Sequence, residues 1–357
     1  MSPFSRKKGG VIVRVRTGET LGSARRGNSR YAPFMSISQG LTGRTFGGRY
    51  RLSERIGSGA MGEVYAADDE GGRPVAVKVL HEHAIEDPAL VARFQREATI
   101  AMRIESPYVA RVVEAGRERT GRFWIAFERL FGETVEARLR RDGCMGFDDV
   151  ASVIEDVLHG LLAAHEVGVV HRDVRPANVF LEAGAAVGTP RARLLDFGVG
   201  KLRDDMGRES TLTAAGITVG SYVYMSPEQL RSSNLADERA DLYAVGALAF
   251  RMLTGRPPFQ APNVAGLAAL KLHRRAPTLA EATGETWPAP IERLLAMLLE
   301  REPEARVQSA SAALLEWQEL REQFASQPDS ILERGPVHVT FESWPEAELD
   351  RTEVDGP

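Results

Sequence analysis

Apolar and polar residues alternate with a period of two in the N-terminal third of the chain. This period is typical of β-strands, and it predicts three of them, at 50–56, 63–67 and 74–80. Gly71 and Gly72, which separate the last two segments, favour a turn. The pattern therefore predicts a β-hairpin next to a further strand.

Helical spacing replaces alternation in the segment DPALVARFQREATIAMRI, which begins at Asp87. Asp87 is a favourable N-cap residue, and Pro88 fits the first position of a helix. Apolar residues recur at one face, including Leu90, Phe94 and Ala101. The segment therefore predicts one amphipathic helix after the strands.

The C-terminal half of the chain is dominated by helical patterns. Residues 241–253 are apolar nearly all round but too short for a bilayer, so they predict a buried central helix. Gly255 and the two prolines that follow it end that helix. Further along, Leu314, Leu315 and Trp317 are predicted to lie in the core. The order of elements indicates an α+β fold.

The two ends of the sequence differ from the middle in composition. Residues 1–46 are rich in Arg, Gly and Ser, and 323–357 become acidic. Such segments bury too little apolar surface to offset the entropy of ordering. We therefore expect a basic, disordered N-terminal arm, a folded domain at 47–322 and a flexible C-terminal tail.

Composition excludes several functional classes. The 357 residues carry a net charge of −4, which gives no basic footprint for nucleic acid. The seven histidines show no metal-ligand spacing. Cys144 is the single cysteine, so no intramolecular disulfide can form, which suits a reducing cytoplasm. No segment predicts a membrane span or a signal peptide.

Two polar motifs carry candidate catalytic residues, HRDVRPANVF at 171–180 and LLDFGVG at 194–200. The carboxylate of Asp173 can orient and deprotonate a hydroxyl group. Asn178 and Asp196 supply oxygen atoms of the kind that bind Mg²⁺ beside phosphates. Order and spacing together predict phosphoryl transfer, although each motif alone is weak.

A glycine-rich segment, IGSGAMGEVY, precedes these motifs. Gly57, Gly59 and Gly62 have no Cβ atoms to keep backbone amides away from a phosphate. The same spacing occurs in dinucleotide-binding motifs, but there it opens a helix. Because strands follow here, a hairpin folded over a nucleotide is the better interpretation.

Lys78 is expected to bind the phosphates of that nucleotide. It shares a face of its strand with Ala76, whose small side chain leaves room for a flat base. The long lysine stem needs a partner to fix it. Glu97, on the predicted helix, is the candidate.

In these motifs and their order the chain resembles eukaryotic-type serine/threonine protein kinases, especially the bacterial members, from about residue 49 to 320. The resemblance implies a bilobal fold. A small β-rich lobe with one helix, about 49–128, would precede a larger, mostly helical lobe, about 131–322. ATP would bind in the cleft between them.

The resemblance also implies a set of nucleotide contacts. Residues 124–133 would form the hinge, with Phe127 closing the back pocket and Glu133 reaching the ribose. Backbone groups of Glu128 and Leu130 would bind adenine. The remaining contacts would come from the glycines together with Ile56, Val64, Ala76 and Phe180.

On the substrate side, the resemblance implies that Glu228 pairs with Arg306 and that Asp241 accepts hydrogen bonds from the catalytic loop. Ser221 would favour hydroxyl substrates of the Ser/Thr type. Arg172 marks kinases that a phosphate on the activation loop switches on. The predicted phosphorylation sites are Thr211, Thr213 and Thr218.

The chain departs from the family pattern at Arg175 and at Ala177, where the family often has a glutamate. Arg175 stands where serine/threonine kinases usually have a lysine that steadies the transferring phosphate. Arg keeps the charge but is planar and wider. We expect Asp173, Lys78 and Arg175 to be the catalytic residues.

The prediction is therefore a cytoplasmic protein serine/threonine kinase that uses ATP and Mg²⁺, with Mn²⁺ as a substitute. Its partners would be protein substrates, and copies of the chain would associate for trans-autophosphorylation. A pseudokinase-like nucleotide-binding scaffold is the alternative from another class. A small-molecule phosphotransferase is less favoured, because it would not need the peptide-docking element.

Overall fold

A computed structural model describes residues 40–59, 62–184, 191–197, 222–232 and 236–325. The described elements are the strands β1 (Thr45–Phe46), β2 (Tyr50–Ser58), β3 (Gly62–Asp68), β4 (Pro74–Leu80), β5 (Val112–Arg117), β6 (Phe123–Glu128), β7 (Gly132–Thr134), β8 (Val179–Glu182) and β9 (Arg191–Leu194), and the helices α1 (Pro88–Ala101), α2 (Val135–Asp142), α3 (Phe147–Glu166), α4 (Pro227–Arg231), α5 (Arg239–Thr254), α6 (Val264–His273), α7 (Leu279–Thr283), α8 (Ala289–Leu298) and α9 (Ala310–Ala325). This confirms the predicted α+β class.

The N-terminal lobe is a six-stranded antiparallel sheet in the order β1-β2-β3-β4-β6-β5. The three predicted strands are confirmed, and β4 has the predicted bounds. Gly72, in the predicted turn, has a φ of 71°, which favours glycine. Residues Val75, Val77 and Val79 are buried together on one face of β4.

Each face of this sheet is covered by a different part of the chain. The valine face packs with Tyr65 and Trp124, and with Leu41 and Phe46 from the residues that precede β2. Leu41 and Phe46 are 5% and 3% exposed. Residues 40–46, which composition assigned to the arm, are therefore part of the lobe. Residues 1–39 and 326–357 lie outside the described part of the chain.

The opposite face of the sheet is covered by α1. Helix α1 begins at Pro88, and the Leu90 backbone N–H donates to Asp87 Oδ1 at 3.4 Å, which confirms the predicted N-cap. Phe94 and Ala101 pack against Ile125 of β6 in a second apolar cluster. The single helix of the small lobe therefore lies on the side of the sheet that also carries Lys78.

The C-terminal lobe is helical and is built around α3 and α5. Both helices contact the same apolar cluster, and α5 is buried along nearly all its length. Trp317 of α9 is 1% exposed and its Nε1 donates to the Ala151 carbonyl at 2.9 Å. The prediction for Leu315 is wrong: it is 62% exposed. Leu314 and Leu315 are adjacent, so a helix turns one of them outward.

A small antiparallel sheet, β7-β8-β9, lies at the start of this lobe. It brackets the segment 171–178, so the polar motifs lie between packed elements. Gly132 allows β7 to approach β8, because a Cβ atom there would lie 1.9 Å from the Leu181 carbonyl oxygen. Within the described residues, no helix combines the length and the apolar character that crossing a bilayer requires.

Replacing Phe46 tests whether the segment before β2 belongs to the lobe. Phe46→Ala should lower the free energy of unfolding by about 3–5 kcal/mol, because it empties a buried site. Urea denaturation measures this change. Leu315→Ala, at an exposed helical position, is the matched control and should change it by less than about 0.5 kcal/mol. Equal effects of the two substitutions would show that residues 40–46 add nothing to the core.

Candidate active site

Lys78 and Asp196 meet across the gap between the two lobes. Lys78 Nζ donates to Asp196 Oδ1 at 3.1 Å, and the two side chains are 11% and 47% exposed. Strand β4 supplies the lysine, and the segment after β9 supplies the aspartate. Asp196 has a φ of 42°. A non-glycine residue in the left-handed region is strained, which is common where a side chain must be aimed at a ligand.

Asp173 and Asn178 form the second half of the site. Asn178 Nδ2 donates to both the carbonyl oxygen and Oδ2 of Asp173, each at 2.9 Å. The amide group therefore turns its Oδ1 away from Asp173, where it can act as a ligand. The Leu195 N–H donates to the Asn178 carbonyl at 2.9 Å, which joins this loop to the residue before Asp196.

The loop that carries Asp173 is fixed by hydrogen bonds from its backbone to the buried carboxylate of Asp241. The backbone N–H groups of His171 and Arg172 donate to the two oxygens of this buried carboxylate, at 2.8 and 2.7 Å. His165 Nε2 lies 2.9 Å from the same carboxylate. Asp241 lies in the first turn of α5, where the helix dipole favours a negative charge. This confirms the predicted role of Asp241.

His171 is structural. It is fully buried, its Nδ1 accepts from the Asp173 N–H at 3.2 Å, and its Nε2 donates to the Leu195 carbonyl at 3.0 Å. Burial lowers the pKa of His171, so the ring stays neutral. With both nitrogens engaged inside the protein, His171 has no hydrogen left for a substrate.

Arg175 leans on the carboxylate of Asp173. Arg175 Nε lies 3.4 Å from Asp173 Oδ2, and the arginine side chain is 31% exposed. A guanidinium group in this place can neutralise negative charge beside Asp173. Arg175 and Lys78 contact different carboxylates, because Arg175 lies beside Asp173 and Lys78 lies beside Asp196.

The glycine-rich segment folds as the hairpin predicted between β2 and β3. A Cβ atom on Gly62 would lie 2.2 Å from the Val79 carbonyl oxygen, so glycine is required there by packing against β4. At Gly57 and Gly59 a Cβ atom would meet nothing closer than 3.7 Å. These two therefore leave open space over the strand. His81 Nε2 lies 3.0 Å from the Gly59 carbonyl oxygen, so this histidine contacts the hairpin.

The hinge is anchored by an ion-pair network. Glu128 Oε1 accepts from the Arg111 N–H at 2.8 Å and from Arg193 Nη1 at 3.0 Å. Arg193 Nε also donates to Glu182 at 2.9 Å. The Glu128 side chain is therefore held by neighbouring residues, and its backbone N–H donates to the Arg111 carbonyl at 3.0 Å. Arg193 could not be found from the sequence, because Glu128 is distant from it along the chain.

Residues predicted to contact the base share one face of the sheet. Val64 pairs with Lys78 and Ala76 pairs with Phe127 in the strand register. Alternation places all four on the cleft side of the sheet. The other predicted contacts are partly buried near the same gap: Ile56 at the end of β2, Leu130 after β6, and Phe180 in β8. Glu133, expected at the ribose, is held by Arg141 instead, with Arg141 Nη2 at 2.9 Å from Glu133 Oε1.

Glu228 and Arg306 form the predicted buried pair. Arg306 donates to both carboxylate oxygens of Glu228, at 2.8 and 3.1 Å, and the two side chains are 7% and 0% exposed. Further hydrogen bonds from Arg306 reach the carbonyls of Arg239 and Glu300. Every donor of this guanidinium group is therefore satisfied, which is what a buried ion pair requires.

Several predicted residues lie outside the described part of the chain. The side chain of Glu97 is one of them, although its backbone lies in α1. Ser221 and the predicted phosphorylation sites Thr211, Thr213 and Thr218 are also outside it.

The arrangement fits a nucleotide with a divalent cation. Asp196 and the Oδ1 of Asn178 are hard oxygen ligands, and Mg²⁺ typically needs only one or two protein ligands because phosphates and water complete its shell. No group of three or more His, Cys, Asp or Glu side chains suited to a metal is found among the described residues. A cavity of about 370 Å³ adjoins His165 and Asp237, and none of the residues expected to bind nucleotide lines it.

Comparisons with known proteins agree with a site for nucleotide and a divalent cation. A family model described as "Protein kinase domain" matches residues 50–318. The chain is 35% identical over 284 residues to the serine/threonine-protein kinase pkn3 of Myxococcus xanthus, which covers 77% of this chain and 50% of that protein. It is 34% identical over 267 residues to PknB of Mycobacterium tuberculosis, covering 74% and 41%. The chain thus spans half or less of these relatives.

Solved structures show the same fold. The kinase domain of PknI from Mycobacterium tuberculosis superposes with a TM-score of 0.60 at 27% identity, over 79% of this chain and 98% of that one. Rad53 residues 1–466, solved with AMP-PNP, superposes with a TM-score of 0.61 at 20% identity, over 75% and 65%. The second likeness bears on the fold alone.

Breaking the buried pair tests its structural role. Glu228→Gln should lower the free energy of unfolding by about 3–5 kcal/mol, because it leaves the Arg306 charge buried without its counter-ion. Urea denaturation gives the change. In the control Glu82→Gln, the carboxylate is 81% exposed and pairs with Arg122 at the surface, so stability should not change. An undiminished stability of Glu228→Gln would refute the predicted role of the pair.

Proposed function

The chain belongs to the protein kinase family, and we propose that it is a protein serine/threonine kinase of the bacterial eukaryotic-type group. In this proposal it transfers the γ-phosphate of ATP to Ser or Thr hydroxyls of proteins. ATP would bind with Mg²⁺, which Mn²⁺ could replace. The single cysteine, which can form no intramolecular disulfide, supports a reducing, cytoplasmic setting.

One observation carries the proposal. The 3.1 Å contact between Lys78 and Asp196 brings a phosphate-binding cation and a metal-binding carboxylate to the same point. Asp173 and Asn178, bonded to each other at 2.9 Å, lie on the loop joined to Asp196 through Leu195. These four groups are the ones that phosphoryl transfer requires in one place.

The chemistry then follows from the placement of the groups. Asp173 would accept the proton of the acceptor hydroxyl as its oxygen bonds to the γ-phosphorus, while the bond from that phosphorus to the ADP oxygen breaks. Lys78 would hold the α- and β-phosphates, and Arg175 would neutralise charge on the transferring group. Bound Mg²⁺ would offset the negative charge of the phosphates. The protein contributes chiefly position and charge, since the transition state is loose.

Adenine would lie between the lobes, with Val64 and Ala76 above it and Phe180 below. Ile56 and the glycines Gly57, Gly59 and Gly62 would cover the ribose and phosphates. The backbone of Glu128 and Leu130 would supply the hydrogen bonds. Support comes from the anchored Glu128 side chain and from the open space at Gly57 and Gly59. Glu97 would steady Lys78 when nucleotide separates it from Asp196.

Activation by phosphorylation belongs to the same proposal. Arg172 has a φ of 62°, and its Nη2 donates to the Ala236 carbonyl at 3.3 Å. Its Nε is buried, and no acceptor among the described residues bonds to it. A phosphate on Thr211, Thr213 or Thr218 would supply an acceptor for this cation. Copies of the chain would associate to place that phosphate.

The alternative is a pseudokinase-like scaffold that binds nucleotide without transfer. Pseudokinases commonly lack the lysine, the catalytic aspartate or the metal aspartate. This chain keeps Lys78, Asp173 and Asp196 in contact networks that suit catalysis. Chemistry is therefore favoured, and a transfer assay separates the two functions.

Asp173→Asn tests the general base. Purified wild type incubated with labelled ATP and Mg²⁺ should modify Ser or Thr residues, which peptide mapping identifies. Asp173→Asn should reduce the rate by about 10²–10⁴-fold, because the amide cannot take the proton, while ATP affinity stays nearly intact. Asp148→Asn, an exposed aspartate at the start of α3, is the control and should transfer at the wild-type rate. Undiminished transfer by Asp173→Asn would remove the assigned base; no transfer by wild type would favour the scaffold.

Arg175→Lys tests the departure from the family pattern. The shorter, point-like ammonium group would lose the contact of Arg175 Nε with Asp173, so kcat should fall while the KM for ATP stays unchanged. Steady-state kinetics with an acceptor protein measures both. A gain in kcat would show that the arginine limits the rate and has no adapted role.

A further inference from the structure

Lys271 is a buried lysine in α6, and it forms no ion pair with a carboxylate of the described residues. It is 1% exposed, and its ammonium group donates to the carbonyl oxygens of Tyr222, Val223 and Met225, at 3.1, 2.7 and 2.5 Å. An ammonium group has three hydrogens to donate. All three are therefore directed at the backbone of one short segment, 222–225.

This segment is placed where a substrate polypeptide would lie. It comes directly before α4, and Tyr224 and Met225 are neighbours of Asp173 and Val174. Gln229 of α4 donates to the Arg172 carbonyl at 3.3 Å. The backbone shaped by Lys271 thus adjoins the loop of the proposed general base.

Besides Lys271, the Arg251 side chain is hydrogen-bonded to Tyr224 of this segment. Within it, the Met225 N–H donates to the Tyr222 carbonyl at 3.3 Å, a long bond. A carbonyl group is normally free to rotate with its peptide plane. Three carbonyls converging on one cation fix three peptide planes at once, so Lys271 determines the path of the chain here.

The surroundings of Lys271 show that packing alone does not explain it. An apolar residue of similar size would avoid the cost of burying an amine. The charged and titratable groups nearby are the Tyr243 ring of α5, 5.3 Å from Nζ, and Glu228, which is already paired with Arg306. Arg306 approaches the same Tyr243 ring at 5.2 Å. The two cations therefore share an aromatic ring beneath the segment.

We propose that Lys271 is a positioning residue for the protein substrate: by binding the carbonyls of 222–225 it fixes the platform on which the acceptor polypeptide lies beside Asp173. This inference rests on the proposed kinase function and adds a determinant of substrate binding to it. Nucleotide binding, which uses the other lobe and the hinge, does not depend on Lys271.

The protonation of Lys271 provides an internal probe. Burial lowers the pKa of Lys271 to about 7. Below that pH the ammonium group fills three acceptors. Above it the neutral amine has two hydrogens, so one carbonyl loses its bond. Binding of the acceptor should therefore weaken as the pH rises through this range.

Steady-state kinetics of the full chain, with casein as acceptor and MgATP as donor, tests the proposal. Lys271→Met, which keeps the length of the side chain but no donor, should raise the KM for casein by about tenfold or more. Its kcat at saturating casein and its KM for ATP should match wild type. Lys271→Arg should restore part of the lost affinity, because it returns donors to the same carbonyls. Arg274→Met, at the exposed C-cap of the same helix, is the control and should behave as wild type.

Other results would overturn the proposal. An unchanged KM for casein in Lys271→Met would do so. A rise in the KM for ATP as large as the rise in the KM for casein would also do so, because it would indicate a general structural defect. If Lys271→Met does not fold, the wild-type KM for casein should still rise between about pH 6 and pH 8.5, and the rise should vanish in Lys271→Arg. A flat wild-type profile would then refute it. Absence of transfer by wild type would instead refute the proposed function.

Discussion

The contact of Lys78 with Asp196 is the one interaction on which the rest of the structure depends. It is the point where the sheet of the small lobe and the polar loops of the large lobe meet. Neither residue is placed by local structure alone. The position of Lys78 depends on β4, which is packed on both faces of the sheet. The position of Asp196 depends on a backbone φ of 42°, which is strained for a residue other than glycine. The lobes therefore serve to bring two opposite charges to one gap.

The strain at this gap is supported by buried polar groups beneath it. Asp241 and His171 are both fully buried and together bind the backbone around Arg172, Asp173 and Leu195. Removing either would leave unpaired groups in a region of low dielectric constant, which is costly. This network keeps the loop rigid, so the side chains that face the cleft need little rearrangement to meet a ligand. Lys271 acts in a similar way in the segment 222–225, because one buried cation binds three backbone carbonyls there.

Much of the fold and most of the candidate site could be predicted from the sequence, because their signals are local. Alternation located β4 within its exact bounds and put Lys78 on the face opposite the valines. Motif spacing selected Asp173, Asn178 and Asp196. The predicted N-terminal arm, 1–46, extended too far into the folded domain. Leu41 and Phe46 are buried against strands that follow them in the sequence, so local composition could not reveal it. Arg193 and Lys271 were missed for the same reason: their acceptors are 65 and 46 to 49 residues away.

The central claim is that a nucleotide phosphate and its metal ion bind where Lys78 and Asp196 converge. Calorimetric titration of ATP, with and without Mg²⁺, into wild type and Asp196→Asn tests it most directly. The account predicts that Mg²⁺ tightens ATP binding to wild type by about tenfold or more, a difference of about 1.4 kcal/mol. It also predicts that this gain disappears in Asp196→Asn, which lacks the charged ligand. The same gain in both proteins would contradict the account.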